Sequence, residues 1–201
     1  YSGHSAAVKD LCFSNDGRYF LSSGFDDRIQ FWDTEKGSII NTCMVQKHSY
    51  CIRINPDPDR QYMFLSASMN RSIEQWDLRS GRMEVKYVDH MDPVNSIVFT
   101  DNNKKFASFG DDRRALLWEV GVPTVVRQLQ DPDLPPVTQS FLHPSKNFVV
   151  GQTSESKVVV FDVKASAIRF MHKKRFLGHN SAGFSVQTSS SPLGSLLCSG
   201  D

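Results

Sequence analysis

The chain has few cysteines, no excess of charge and no long apolar run, and each shortage removes a class of protein. Its four cysteines, Cys12, Cys43, Cys51 and Cys198, stand far apart with no C-x-x-C pair. A disulfide framework or a zinc site draws its ligands together, so these read as free thiols and no metal site is expected. Lys and Arg number 23 against 22 Asp and Glu, for a formal charge of +1, so no overall field favours a polyanion or an anionic membrane. Apolar runs such as Val158–Phe161 reach four residues, whereas a bilayer helix needs about 20. No membrane partner is expected. The opening Tyr1-Ser2-Gly3-His4 has neither a start methionine nor an apolar signal segment. Without a secretory signal, the sequon Asn70-Arg71-Ser72 reads as chance. What remains is 201 residues, 39% hydrophobic, enough to bury a substantial core.

Self-comparison finds a repeat. Gly3-His4 precedes Trp32-Asp33, Lys47-His48 precedes Trp76-Asp77, and Asp89-His90 precedes Trp118-Glu119, with 28 residues from His to Trp each time. A fourth unit ends at Phe161-Asp162, placing Asp133 in the His frame, and successive Trp/Phe positions lie 44, 42 and 43 apart. A fifth opens at Gly178-His179. Within a unit, short strand-forming runs alternate with turns. In the first these are Val8–Phe13, Tyr19–Ser22, Ile29–Trp32 and Ile39–Val45, separated by Asn15-Asp16-Gly17, Asp26-Asp27 and Lys36-Gly37. No window shows a helix period. Each unit therefore reads as a four-stranded antiparallel blade, and a period of 40-odd residues reads as a WD-repeat β-propeller, an all-β fold. The expected blades span 3–46, 47–88, 89–131 and 132–177, with half a blade at 178–201. WD-repeat rings commonly hold seven blades, so 1–201 is expected to be part of an incomplete ring, with Tyr1-Ser2 the tail of a preceding outer strand. Unless something else completes that ring, apolar end faces are expected to self-associate.

The frame groups His4, Ser22, Asp26 and Trp32; His48, Ser66, Asn70 and Trp76; and His90, Ser108, Asp112 and Trp118. Ser22, His4 and Asp26 alone imitate a hydrolase triad. A nucleophile is needed once and a structural device once per blade, so these sets are expected to be buried hydrogen-bond tetrads. The fourth unit has Asp133, Gly151, Glu155 and Phe161 at the same places and cannot build one. It is expected to rest on apolar packing and to be the least stable blade.

No phosphate-cradling Gly loop or H-E-x-x-H motif is present, so neither catalysis nor a cofactor nor a small-molecule substrate is expected. Function falls instead to surfaces. The one cationic run comprises Lys164, Arg169, His172, Lys173, Lys174 and Arg175, interleaved by Phe170 and Phe176. It could track RNA phosphates, meet an acidic protein, or simply protect an outer edge from strand pairing. Asp26-Asp27-Arg28 and Asp111-Asp112-Arg113-Arg114 read as charged rim turns. Phe25 and Phe109, just before the turn acids, read as rim anchors or as loop packing. Trp76-Asp77-Leu78-Arg79 is similar to the box by which some WD-repeat receptors dock a cullin ubiquitin-ligase adaptor, although Arg79 could equally bond turn carbonyls.

Longer phrases narrow the likeness. They include Asp10-Leu11-Cys12-Phe13, Tyr50-Cys51-Ile52-Arg53-Ile54-Asn55-Pro56-Asp57, Gln75–Gly81, Val94–Phe99, Lys173-Lys174-Arg175-Phe176 and Ala182-Gly183-Phe184. Together they resemble the propeller of the pre-mRNA-processing factor 17 family of second-step splicing factors. The resemblance runs from Gly3 to Asp201, across blades two to five and half of six. It implies a nuclear, non-enzymatic spliceosome scaffold serving the second transesterification, exon ligation. Implied partners are spliceosomal proteins, with snRNA or pre-mRNA contact left open, and Arg169, Lys173, Lys174, Arg175 and Arg79 are the candidate contacts. The alternative is another WD-repeat adaptor, such as a cullin ubiquitin-ligase substrate receptor or a chromatin reader.

Overall fold

Short β-branched and aromatic runs bounded by Asp, Asn and Gly leave the chain little choice but hairpins. A computed structural model describes residues 1–164, 167–178, 180 and 186–200. His179 and the Ala182-Gly183-Phe184 phrase lie outside the described residues. Four four-stranded antiparallel sheets follow one another in chain order. The first holds β1 (Val8–Phe13), β2 (Tyr19–Gly24), β3 (Arg28–Asp33) and β4 (Ser38–Met44); the second holds β5 (Ser49–Ile54), β6 (Met63–Ser68), β7 (Ser72–Asp77) and β8 (Arg82–Val88). The third holds β9 (Val94–Thr100), β10 (Lys105–Gly110), β11 (Arg114–Glu119) and β12 (Val122–Gln130). The fourth holds β13 (Val137–Leu142), β14 (Phe148–Thr153), β15 (Val158–Asp162) and β16 (Arg169–Phe176). A hairpin of β17 (Thr188–Ser190) and β18 (Leu197–Ser199) ends the described chain. Among the described residues no helix is long and apolar enough to cross a membrane. The chain divides into two compact units, Tyr1–Val94 and Asn95–Asp201.

One turn recurs in every sheet. Five residues before each Trp or Phe, Asp27, Arg71, Arg113 and Ser156 take φ of 59°, 68°, 58° and 58°. These are left-handed positions held by non-glycine residues. The charged Asp-Asp-Arg stretches at Asp26 and Asp111 therefore mark the link between second and third strands. In the next link, Gly37 and Gly81, both at φ 65°, bring their N–H groups back onto the carbonyls of Asp33 and Asp77 at 2.9 and 2.8 Å. Three sheets share a further device, a Phe stacked on the blade's Trp. The pairs are Phe20–Trp32, Phe64–Trp76 and Phe106–Trp118, with centroids 5.8 to 6.2 Å apart and planes within 13°.

In the first unit, Leu21, Ile29, Ile52, Ile54, Phe64 and Trp76 share one core between the first two blades. Strand register equates Leu11 with Ile52 and Phe13 with Ile54. Ile52 and Ile54 are 0% and 5% exposed because β5 packs on β1 and β2. Leu11 and Phe13, on the far side of β1, are 54% and 57% exposed. Tyr1 does not continue a strand. Its ring lies edge-on to Phe20 and Trp32, and its hydroxyl donates to Thr34 O at 2.6 Å.

A polar seam joins neighbouring blades within each unit, and nothing in the repeat frame announced it. Asp10 Oδ2 accepts from Ile52 N–H at 2.9 Å and from Arg53 Nη1 at 2.7 Å. The residue at the same repeat position in the third sheet, Ser96, accepts through Oγ from Ser140 N–H at 2.9 Å. Ile52 and Ser140 lie on β5 and β13, the edge strands of their sheets, so their N–H groups point away from the ladder and take an acceptor on the neighbouring blade.

The fourth sheet is held differently. Val137, Val149, Val159, Phe161 and Phe170 join Phe109 and Leu117 in an apolar core. A Cβ added at Gly151 would meet Val137 Cγ1 at 3.0 Å and the Phe161 ring at 3.4 Å. Gly151 and Phe161 thus remove the hydroxyl and the indole N–H together, which leaves neither stranded without the other. Phe109 is fully buried and packs 4.9 Å from Phe161, so it is a core residue and not a rim anchor. Phe25 stays 42% exposed, edge-on to His48.

Candidate functional site

The first blade assembles its tetrad. His4 Nδ1 lies 2.9 Å from Asp26 Oδ1 and Nε2 lies 2.7 Å from Ser22 Oγ, while Trp32 Nε1–H donates to the same Oγ at 2.8 Å. Burial opposes the charged form of Asp26, but hydrogen bonds from His4 and the Ser5 N–H outweigh it and hold the carboxyl below its ordinary range. The geometry resembles a hydrolase triad, but Ser22 is buried and its oxygen already accepts from Trp32. A cavity of about 630 Å³ does open beside His4 and Ser22, walled by Leu11, Phe13, Phe20 and Trp32. Its walls are largely apolar, and a hydrolase would need there the serine oxygen that Trp32 already holds.

The second blade departs from the expected tetrad. Trp76 Nε1–H donates to Ser66 Oγ at 3.1 Å, but His48 does not reach Ser66. Its Nδ1 faces Asp27 of the preceding blade at 2.5 Å, a close ion pair when the ring is protonated rather than an aligned hydrogen bond. Asn70 Oδ1 accepts from Ser72 N–H at 3.2 Å, so it caps its own turn and carries no charge to hold an imidazole. The cause is the link from β5 to β6, which contains a single 3₁₀ turn at Pro58–Arg60. Phe13 pairs with Phe20 where Ile54 pairs with Phe64, so this link is three residues longer than its counterpart. By strand register the place of His4 falls on Val45, which is buried in the core. The 28-residue spacing at His48 is therefore a coincidence of insertion and shift.

Trp118 Nε1–H donates to Ser108 Oγ at 2.8 Å and Asp112 Oδ1 accepts from Arg114 N–H at 3.1 Å, both in the second unit. His90, in the first unit, is 5% exposed. In the fourth blade, Glu155 pairs with Lys157 Nζ at 2.8 Å and Asp133 faces His172 at 3.9 Å.

The cationic run lies on β16 and just before it, but it is not a plain strip. An irregularity of register separates the pairs Val159–Arg175 and Phe161–Phe170. Phe170 turns inward and is buried, whereas Phe176 is 49% exposed, so only Phe176 interleaves the cations at the surface. The ammonium groups of Lys164 and Lys174 converge on the Phe148 ring at 5.3 and 4.9 Å. Arg175 lies over Phe170 at 5.4 Å and 3.5 Å from His172 Nδ1. Arg169 and Lys173 are exposed. Asp131, Asp133 and His172 bring potential metal-donor atoms within 4.8 Å of one another. Arg175 sets a guanidinium 3.5 Å from His172 Nδ1, which disfavours a metal ion there.

Arg79 turns to a carboxylate and a ring instead of to turn carbonyls. Its Nη2 donates to Asp77 Oδ2 at 2.6 Å and its guanidinium stacks 3.9 Å above Tyr62. The Arg79 hydrogen bonds hold the Asp77 carboxyl below its ordinary range. The pair borders an open groove of about 840 Å³ between the first two blades, lined also by Tyr19, Phe31, Ile40 and Gln61. Pro58, Gln61 and Tyr62 come from the enlarged β5–β6 link, so the insertion that displaces His48 also builds one wall of this groove.

The WD domain, G-beta repeat family model matches residues 1–33 and 82–119. The chain is 35% identical over 201 residues to pre-mRNA-processing factor 17 of Homo sapiens, covering all of this chain and 34% of that protein. It is 28% identical to the Saccharomyces cerevisiae protein of the same name, covering 44% of it. WD repeat-containing protein 25 of Mus musculus is 25% identical, with 38% covered. The chain thus spans between a third and a half of the length of these curated relatives. It is a run of WD-repeat β-propeller blades, similar from end to end to pre-mRNA-processing factor 17.

Proposed function

We propose that this blade array is a non-catalytic scaffold in pre-mRNA splicing, acting in the nucleus at the second transesterification, exon ligation. The observation that carries the reading is the alignment with pre-mRNA-processing factor 17 along the entire chain, the fourth blade included. That blade has lost the Ser and the Trp of the repeat and has replaced them as a matched pair, Gly151 and Phe161. Alignment that continues through so divergent a blade is more than repeat composition alone produces. Rigid blades offer outer strands and loops to partners. On these blades the exposed surfaces include the β16 cations and the largely apolar groove beside Arg79 and Tyr62. The scaffold bridges spliceosomal proteins, and β16 touches RNA phosphates through Arg169, Lys173, Lys174 and Arg175. Exposed Phe176 and the lysine-flanked Phe148 supply ring faces on which bases can stack.

Affinity capture of the tagged chain from nuclear extract tests this. Recovery of spliceosomal proteins with snRNA is expected. Recovery of a cullin adaptor or histones in their place would refute it and favour the other adaptor class.

A further inference from the structure

We propose that Asp131 and Asp133 set the affinity of the β16 cations for single-stranded RNA, by occupying the place a backbone phosphate would take at His172. The proposal rests on the RNA reading of β16 given above. The loop between β12 and β13 runs Asp131-Pro132-Asp133-Leu134-Pro135-Pro136. Its two carboxylates sit on β16: Asp131 Oδ2 is 3.1 Å from His172 Nε2, and Asp133 Oδ2 is 3.9 Å from Nδ1. Arg175 Nη2 reaches Nδ1 of the same ring at 3.5 Å. A phosphate approaching His172 and Arg175 therefore meets two anions already in place.

The loop is not free to swing away. Leu134 is buried in the apolar core, its N–H donates to Asp131 O at 3.1 Å, and Asp133 N–H donates to Asp131 Oδ1 at 2.9 Å. Two prolines follow directly and fix the backbone further. The carboxylates are thus a standing competitor and not a removable cover. Arg169, Lys173, Lys174 and Arg175 carry four positive charges against these two negative ones. The result is weak, salt-sensitive contact instead of tight capture.

The substitution Asp→Asn tests this cleanly, because an amide oxygen at position 131 can still accept from the N–H at 133 and the turn survives. The probe is a labelled oligouridylate, with binding followed by fluorescence anisotropy across a salt series. D131N/D133N is expected to bind about three- to tenfold tighter at low salt, with a slope of log affinity against log salt steeper by about one. Asp133→Asn alone, at an exposed side chain, is expected to give about a twofold gain. If D131N/D133N binds like the parent while K173E/K174E binds more weakly, the carboxylate inference fails and the RNA reading stands. If K173E/K174E also matches the parent, or if polyglutamate binds β16 where oligouridylate does not, the RNA reading itself fails and the inference with it.

Discussion

Replacing Ser22 by Ala separates a hydrogen-bond chain from a lone bond inside otherwise similar blades. Ser22 Oγ serves two buried partners, His4 Nε2 at 2.7 Å and Trp32 Nε1 at 2.8 Å. His4 is 6% exposed at its side chain and Trp32 is 3% exposed, so both groups lose a buried partner, and only water from the adjoining cavity can offset part of that loss. Each stranded group costs about 1–3 kcal/mol, which puts Ser22→Ala at about 2–6 kcal/mol. The matching change in the second blade, Ser66→Ala, strands only Trp76 Nε1 and should cost about 1–3 kcal/mol. Urea unfolding followed by tryptophan fluorescence reads both, with hydrogen exchange of β1–β8 amides confirming that the same unit responds. A double-mutant cycle sharpens the contrast. His4→Ala with Ser22→Ala should be non-additive, whereas His48→Ala with Ser66→Ala should add within about 0.5 kcal/mol, because those side chains do not touch. Equal costs for the two serines, together with coupling between His48 and Ser66, would refute the reasoning.

Other outcomes follow from the same geometry. Asp26 is held below the ordinary carboxylate range when folded, so its stabilising share is full above that range and is lost as pH falls from about 4 downward through its folded value. Unfolding midpoints of Asp26→Asn should accordingly fall less steeply with acid than those of the parent. Burial pushes the Cys43 thiol up to about 11, and Cys198 is exposed. A thiol reagent at mildly alkaline pH should label Cys198 first and Cys43 only on unfolding; rapid labelling of Cys43 would contradict its burial. Gly151→Ser adds a Cβ 3.0 Å from Val137 and a hydroxyl with no indole to serve, so thermal unfolding should show a loss of about 1–3 kcal/mol.

The repeat frame was legible because the devices that set it are local. A Phe twelve residues before Trp and a left-handed residue five before it both belong to hairpins whose length is fixed between β2 and β3. Counting residues across such a hairpin is counting geometry. Counting from His to Trp crosses the first link as well, and that link tolerates insertions because it lies at the surface. There the count failed for His48: three residues gained after β5 were matched by a His three residues nearer its strand, and the spacing of 28 survived while the tetrad did not. Asp10 and Ser96, which join neighbouring blades, escaped notice for a related reason. Their shared task is to accept one outward N–H of the next blade's edge strand, and a carboxylate or a hydroxyl does that equally well. No single residue type then marks the position. The β16 cations were legible as charge but not as geometry, since only strand pairing reveals that Phe170 faces the core and that Asp131 and Asp133 face His172. Register fixed within a hairpin can be read from spacing, whereas a contact between a loop and a strand about 40 residues away requires the fold.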